Sequence, residues 1–74
     1  MSAAAPGGER VVLFRENGFV RKAPSAAGAV LGVMKRGAAL PYGGVTSAEG
    51  WLAVIYRGEP GWVSGKFAGI GERD

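Results

Sequence analysis

The sequence predicts an all-β fold, a small barrel of five to seven short antiparallel strands. Fourteen glycines and four prolines in 74 residues leave almost no uninterrupted window in which a helix could form. Short apolar runs alternate with turn-forming residues along the chain. The segment WLAVIY at 51–56 consists mainly of β-branched and aromatic residues, which favour strands. Because closure removes exposed strand edges, we expect the sheet to close on itself.

Seven segments have the composition of strands. In chain order they are VVLFR at 11–15, FVR at 19–21, VLGVMK at 30–35, AALPYGGVT at 38–46, WLAVIY at 51–56, WV at 62–63 and FAGI at 67–70. Gly32 is expected to break the third segment. Pro41, together with Gly43 and Gly44, is expected to kink the fourth, because proline and glycine weaken strand pairing.

The connections between these segments carry turn residues. Asn17 and Gly18 form the strongest hairpin signal in the chain, so the strand at 19–21 is expected to return beside the strand at 11–15. The segment KAPSAAGA at 22–29 is small and contains proline, which indicates a loop. Shorter turns are predicted at residues 36–37, 47–50, 57–61 and 64–66.

A chain of 74 residues has room for one domain. We expect a flexible N-terminal arm over residues 1–9, the barrel over 10–71 and a polar tail over 72–74. The first residues have neither the basic region nor the apolar stretch of a leader, and no apolar run approaches the length of a membrane span. These features predict a protein that is made in the cytoplasm, has no membrane partner and could leave the cell by lysis, as phage products do.

The composition argues against catalysis and against a bound metal or cofactor. The chain has no cysteine, which excludes thiolate chemistry and cysteine-ligated zinc, and no histidine, the commonest general base and metal ligand. Its serine and threonine hydroxyls therefore have no histidine to activate them. Gly43 and Gly44 are not followed by the lysine and hydroxyl residue of a phosphate-binding loop. We expect no catalytic residue, no metal site and no cofactor.

Several short motifs occur in the order and spacing of a known family. They are Phe19-Val20-Arg21, Pro24-Ser25, Val30-Leu31-Gly32, Lys35-Arg36-Gly37, Gly50-Trp51, Val54 and Gly61-Trp62-Val63. With these motifs the chain resembles bacterial SH3 domains over about residues 11–70. The resemblance implies an SH3-like barrel and a non-catalytic module that recognises a cell-wall peptide or a protein segment. The chain departs from the family pattern at Gly18 and Phe19, where Leu-Asn is usual, and in the middle strand, which Pro41 and two glycines interrupt.

The resemblance also implies a ligand groove beside the long loop and the loops that flank Trp51. The residues assigned to this groove are Arg21, Pro24, Tyr42, Glu49 and Trp51. Arg21 could contact a ligand carboxylate, or donate a structural hydrogen bond to carbonyls of the following loop. The Tyr42 ring could contact a ligand or fold onto the barrel rim, and Trp51 could bind or pack. Trp62 is expected to pack in the core or at a hinge rather than contact a ligand, and the glycine before each tryptophan is expected to adopt a positive φ.

The segment at 51–56 is apolar on both faces. One face carries Leu52, Val54 and Tyr56, and the other carries Trp51, Ala53 and Ile55. Since each strand of a small barrel has one core face, the second apolar face is covered either by a loop of this chain or by another chain. Ala53 and Ile55 are therefore a candidate partner-docking face.

Three classes of function stay open at this point. The first is a binding module for cell-wall peptide or a protein segment, such as a targeting subunit of a lytic complex. The second is a structural component, for example a small phage virion protein, that assembles as a homo- or hetero-oligomer. The third is a nucleic-acid-binding barrel, which a net charge of +3 permits. The nine basic residues do not cluster, which disfavours nucleic acid as a partner.

Overall fold

The computed structural model describes residues 9–73, and it confirms the all-β fold predicted from the sequence. The strands are β1 (Glu9–Phe14), β2 (Gly18–Arg21), β3 (Val30–Met34), β4 (Ala39–Thr46), β5 (Trp51–Tyr56), β6 (Glu59–Ser64) and β7 (Ala68–Arg73). Every pairing between them is antiparallel, and residues 9–73 contain no helix. Accordingly, this part of the chain has no helix that is long and apolar enough to cross a membrane.

The strands form one sheet in the order β3-β2-β6-β5-β4-β1-β7. β4 joins its two halves, because residues 39–41 pair with β1 whereas Tyr42 and Thr46 pair with β5. The register shifts between Tyr42 and Thr46, and Gly44 lies there with a φ of 88°. This irregularity confirms the predicted interruption of the strand at its paired glycines. Gly32 does not end β3, which runs from Val30 to Met34, but the register with β2 shifts beside it, because Val20 pairs with Gly32 and Arg21 pairs with Val30.

One hydrophobic core lies between the two halves of the sheet. Its buried members are Val12, Phe14, Val20, Leu52, Val54, Val63 and Ala68. Since strands from both ends of the strand order contribute to the same cluster, the sheet must curl over its own face. Leu52 and Val54 take the inward positions of β5 that the alternating pattern of the sequence predicted.

The sheet is not closed, so the expectation of a sealed barrel is wrong in this detail. β3 pairs only with β2, and β7 pairs only with β1, among residues 9–73. Leu31 and Met34 of β3 pack against the same core cluster as Ala68 of β7. Side-chain packing, rather than a further ladder of backbone hydrogen bonds, therefore brings the two ends of the sheet together.

The predicted hairpin at Asn17 and Gly18 is wrong, because β2 pairs with β3 and β6 rather than with β1. The Asn17 side chain instead accepts a hydrogen bond from the Arg36 amide through Oδ1, at 2.8 Å. Gly18 is buried in β2, where a Cβ atom would lie 3.3 Å from both the Phe14 ring and the Phe67 Cβ. This glycine therefore provides room for an aromatic ring rather than a reversal of the chain.

The tightest hairpin of the chain lies at Arg57 and Gly58. Both residues have positive φ angles, 52° and 80°, and they connect Tyr56 to its cross-strand partner Glu59. Positive φ at both central residues is the geometry of a two-residue hairpin whose twist matches that of the strands. The turn predicted over residues 57–61 is thus shorter than expected, and Pro60 already belongs to β6.

The strands extend beyond the predicted limits of the barrel. β7 continues through Glu72 to Arg73, and these residues pair with Arg10 and Glu9 of β1. Two residues assigned to the polar tail are therefore in a strand, as is the last residue assigned to the arm. The rest of the predicted arm, residues 1–8, and Asp74 lie outside the described residues.

Candidate functional site

A groove of about 710 Å³ opens where β2, the loop over residues 22–29 and the turns before β5 and β7 come together. It is lined by Phe19, Arg21, Ala26, Glu49, Gly50, Trp51, Ser64, Gly65, Lys66 and Phe67. Three aromatic rings thus surround one groove together with two cationic side chains and one carboxylate. Three of the five residues assigned to a groove from the sequence, Arg21, Glu49 and Trp51, lie in this lining.

Arg21 connects the groove to the long loop. Its Nη1 donates a hydrogen bond to the Gly28 carbonyl at 2.8 Å, as in the structural alternative considered for this guanidinium. Its Cζ lies 5.4 Å from the centre of the Phe19 ring, within the range of a cation–π contact. Phe19 is 49% exposed, so one aromatic wall of the groove is both open to solvent and supported by Arg21.

The turn at residues 47–50 positions Trp51 and Glu49. The Gly50 amide donates to the Ser47 carbonyl at 2.9 Å, and the Trp51 amide donates to Ser47 Oγ at 3.0 Å. Gly50 has a φ of 88°, as expected for the glycine before this tryptophan. Trp51 follows at the start of β5 as a half-buried residue, and Glu49 is exposed on the turn.

The turn between β6 and β7 forms the opposite side of the groove. The Phe67 amide donates to the Ser64 carbonyl at 3.1 Å, and the Gly65 amide donates across to the Gly50 carbonyl at 3.0 Å. The two turns are therefore in direct backbone contact. A Cβ atom on Gly65 would lie 2.6 Å from the Gly50 carbonyl oxygen, so only glycine fits at this contact.

The groove lining includes Phe19, Lys66 and Phe67, which were not predicted from the sequence. Phe19 alternates with the buried Val20, so the strand pattern alone places its ring on the outer face. No comparable local signal exists for Lys66 and Phe67. Their place beside Trp51 depends on the contact between two turns that are distant from each other in the sequence.

Pro24 and Tyr42 do not line this groove. Pro24 is half-buried in the loop after β2, and it is the neighbouring Ala26 that reaches the groove. Tyr42 lies opposite Val54 and packs against the core, as in the rim alternative considered for this ring. Its hydroxyl shares a hydrogen bond with Thr46 Oγ1 at 2.8 Å.

The candidate docking residues lie on the outer face of β5. Ala53 is half-buried opposite Trp62, and Ile55 is 39% exposed opposite Pro60. The expectation that Trp62 packs in the core is wrong, because the inward positions of β6 are taken by Gly61 and Val63. Trp62 is instead half-buried on the outer face, with Arg21 of β2 as its partner in the ladder.

A positive φ was expected for the glycine before each tryptophan. Gly50 has one, but Gly61 does not. It is buried within β6, where a Cβ atom would lie 2.7 Å from Val20 Cγ1 and 3.3 Å from Leu31 Cδ1. The absence of a side chain therefore lets β6 approach the buried side chains of β2 and β3.

The chemistry available in the groove is that of recognition. Aromatic faces pack against apolar groups, while Arg21 and Lys66 attract carboxylates and Glu49 attracts amines. Within the described part of the chain, no three acidic residues come together in a group that could hold a metal ion.

Comparison with protein families identifies this architecture. The family model for the bacterial SH3 domain matches residues 16–68, which is more than half of the chain and includes every residue that lines the groove. No curated protein and no solved structure shows significant similarity to the chain. The matched family is one of binding domains that are generally non-catalytic. The chain belongs to the bacterial SH3 domain family.

Proposed function

We propose that the protein is a non-catalytic binding module whose groove takes a short extended peptide, and that this peptide belongs to the cell wall. The observation that carries the proposal is the convergence of Phe19, Trp51 and Phe67 around one groove that also contains charges of both signs. Aromatic residues dominate the binding energy of many recognition sites, because they bury a large apolar area with few rotatable bonds.

The dimensions and charges of the groove suit a peptide of a few residues. A volume of about 710 Å³ lies in the range of sites that enclose a small ligand. A cell-wall peptide offers carboxylates to Arg21 and Lys66, an amine to Glu49, and small apolar side chains to the rings. The protein would then act at the cell wall, as the targeting part of a lytic complex.

Replacing Trp51 with alanine tests this proposal. We expect retention of the purified protein on isolated peptidoglycan sacculi to fall by about tenfold or more, the effect of truncating an aromatic hot spot. Val45→Ala is the matched control, because Val45 is an exposed apolar residue outside the groove lining. Equal retention of the two variants, or no retention of the wild-type protein, would contradict the assignment.

A structural assembly role is the second candidate. It is favoured by Ile55, a large apolar side chain that is exposed on the outer face of β5 beside the half-buried Trp62 and Ala53. In this case the protein would dock onto another chain through the outer face of β5, as a phage virion component would. Native mass across a concentration series distinguishes the two roles: a stable monomer favours the binding module, and a defined oligomer favours assembly.

A further inference from the structure

Arg15 lies directly after β1, outside the lining of the groove, and it contacts the turn that forms one side of the groove. Its Nη2 donates a hydrogen bond to the Gly65 carbonyl at 2.9 Å and makes a longer contact of 3.4 Å with the Ala68 carbonyl. The Arg15 and Glu16 amides both donate to the Phe67 carbonyl, at 2.8 and 3.2 Å. The turn is therefore tied to the end of β1 through both backbone and side chain.

These contacts continue to the turn on the other side of the groove. The Gly65 amide donates to the Gly50 carbonyl at 3.0 Å, and the Gly50 amide donates to the Ser47 carbonyl at 2.9 Å. Each of these hydrogen bonds restricts the position of the residue that it joins. The β5–β6 ladder pairs Trp51 with Ser64 and so fixes where this turn begins, whereas the contacts of Arg15 with the Gly65 and Ala68 carbonyls bear on where Phe67 lies.

We infer that Arg15 is a positioning residue of the groove, which holds the turn at residues 65–67 at the correct distance from Trp51. This inference rests on the proposed function only for its effect on binding. A guanidinium suits the task, because its planar group presents several N–H donors in a fixed geometry and stays charged at all relevant pH values. Lysine would supply the charge and a donor, but not the fixed direction.

Arg15 is exposed and is not a member of the core cluster. The turn also has an internal hydrogen bond, from the Phe67 amide to the Ser64 carbonyl, that does not involve Arg15. Removal of the guanidinium should therefore leave the fold and the local turn in place. What it removes is the side-chain part of the connection to β1, while the hydrogen bonds from the Arg15 and Glu16 amides to the Phe67 carbonyl stay.

The experiment compares Arg15→Gln and Arg15→Lys with Arg36→Gln. Arg36 is an exposed arginine in the turn before β4, outside the groove lining, so its replacement makes the same change in charge. Amide hydrogen exchange at Gly65 and the NMR signals of the two indole N–H groups are measured without ligand. Retention on isolated peptidoglycan sacculi is measured separately.

We expect Arg15→Gln to speed exchange at the Gly65 amide by about three- to tenfold, because loss of the hydrogen bond to the Gly65 carbonyl loosens the turn that holds this amide against the Gly50 carbonyl. The indole signal of Trp51 should shift, while that of Trp62, outside the groove lining, should stay in place. Retention on sacculi should fall by a similar factor of about three to ten. Arg15→Lys should recover part of each effect, and Arg36→Gln should match the wild type.

Unchanged exchange at Gly65 in Arg15→Gln would overturn the inference, since the guanidinium would then not hold the turn. Faster exchange with an unmoved Trp51 signal would also overturn it, because the contact would then be local and without effect on the groove. If the wild-type protein is not retained on sacculi, the proposed ligand is wrong. Exchange and the Trp51 signal then decide the role of Arg15 by themselves.

Discussion

Replacement of Phe14 with alanine is expected to unfold a large fraction of the protein at room temperature. Phe14 is 2% exposed and belongs to the cluster that joins both halves of the sheet. Truncation of a buried phenylalanine costs about 3–5 kcal/mol, because it removes apolar burial and leaves a cavity. A single domain has a total stability of about 5–15 kcal/mol, and a domain this small is expected at the low end of that range.

Urea denaturation followed by tryptophan fluorescence measures this loss. The matched control is Leu13→Ala on the same strand, because Leu13 is 46% exposed. We expect the control to lose about 1 kcal/mol or less, as surface substitutions generally do. If the two variants lost the same free energy of unfolding, Phe14 would not have the central place in the core that the structure assigns to it.

Replacement of Gly65 with alanine is expected to have the second largest effect, and its effect should concentrate at the groove. The new Cβ would lie 2.6 Å from the Gly50 carbonyl oxygen, a backbone atom that cannot rotate away. The two turns must therefore separate, which breaks the hydrogen bond from the Gly65 amide. We expect a loss of about 1–3 kcal/mol in the free energy of unfolding, from overpacking and the broken bond.

The same variant should lose retention on peptidoglycan sacculi by about tenfold or more, because Trp51 and Phe67 no longer share one groove. Gly71→Ala is the control, since Gly71 lacks a positive φ and a Cβ atom there meets no atom within 4 Å. Both variants are compared at a temperature where denaturation curves show them folded. A stable Gly65→Ala protein with wild-type retention would contradict the proposed site.

The candidate site could be predicted only in part. Arg21, Glu49 and Trp51 were assigned to a groove through the family resemblance, and they do line one groove, although ligand binding by these residues stays a prediction. Tyr42 was assigned to the same groove, but it does not line it. Its position opposite Val54, on the core face of the bent strand β4, could not be derived from local sequence.

The assignment of Trp62 to the core relied on the size of its side chain, and it was wrong. A large apolar side chain near a glycine suggests core packing, but the register of β6 against β5 pairs Val63 with the inward Leu52 and Trp62 with Ala53 on the outer face. Where a strand begins depends on the hairpin at Arg57 and Gly58 that precedes it.

Features that depend only on neighbours along the chain could be predicted. Glycine and proline content excluded helices, the alternation in WLAVIY identified Leu52 and Val54 as inward residues, and Gly50 marked a turn with positive φ. Contacts between distant segments could be seen only in the folded structure. Gly18 and Gly61 allow close packing there, and a side chain at Gly65 would clash with Gly50 where two turns meet. The physical reason is that φ preferences and side-chain periodicity are local properties, whereas packing distances exist only between elements that the fold has brought together.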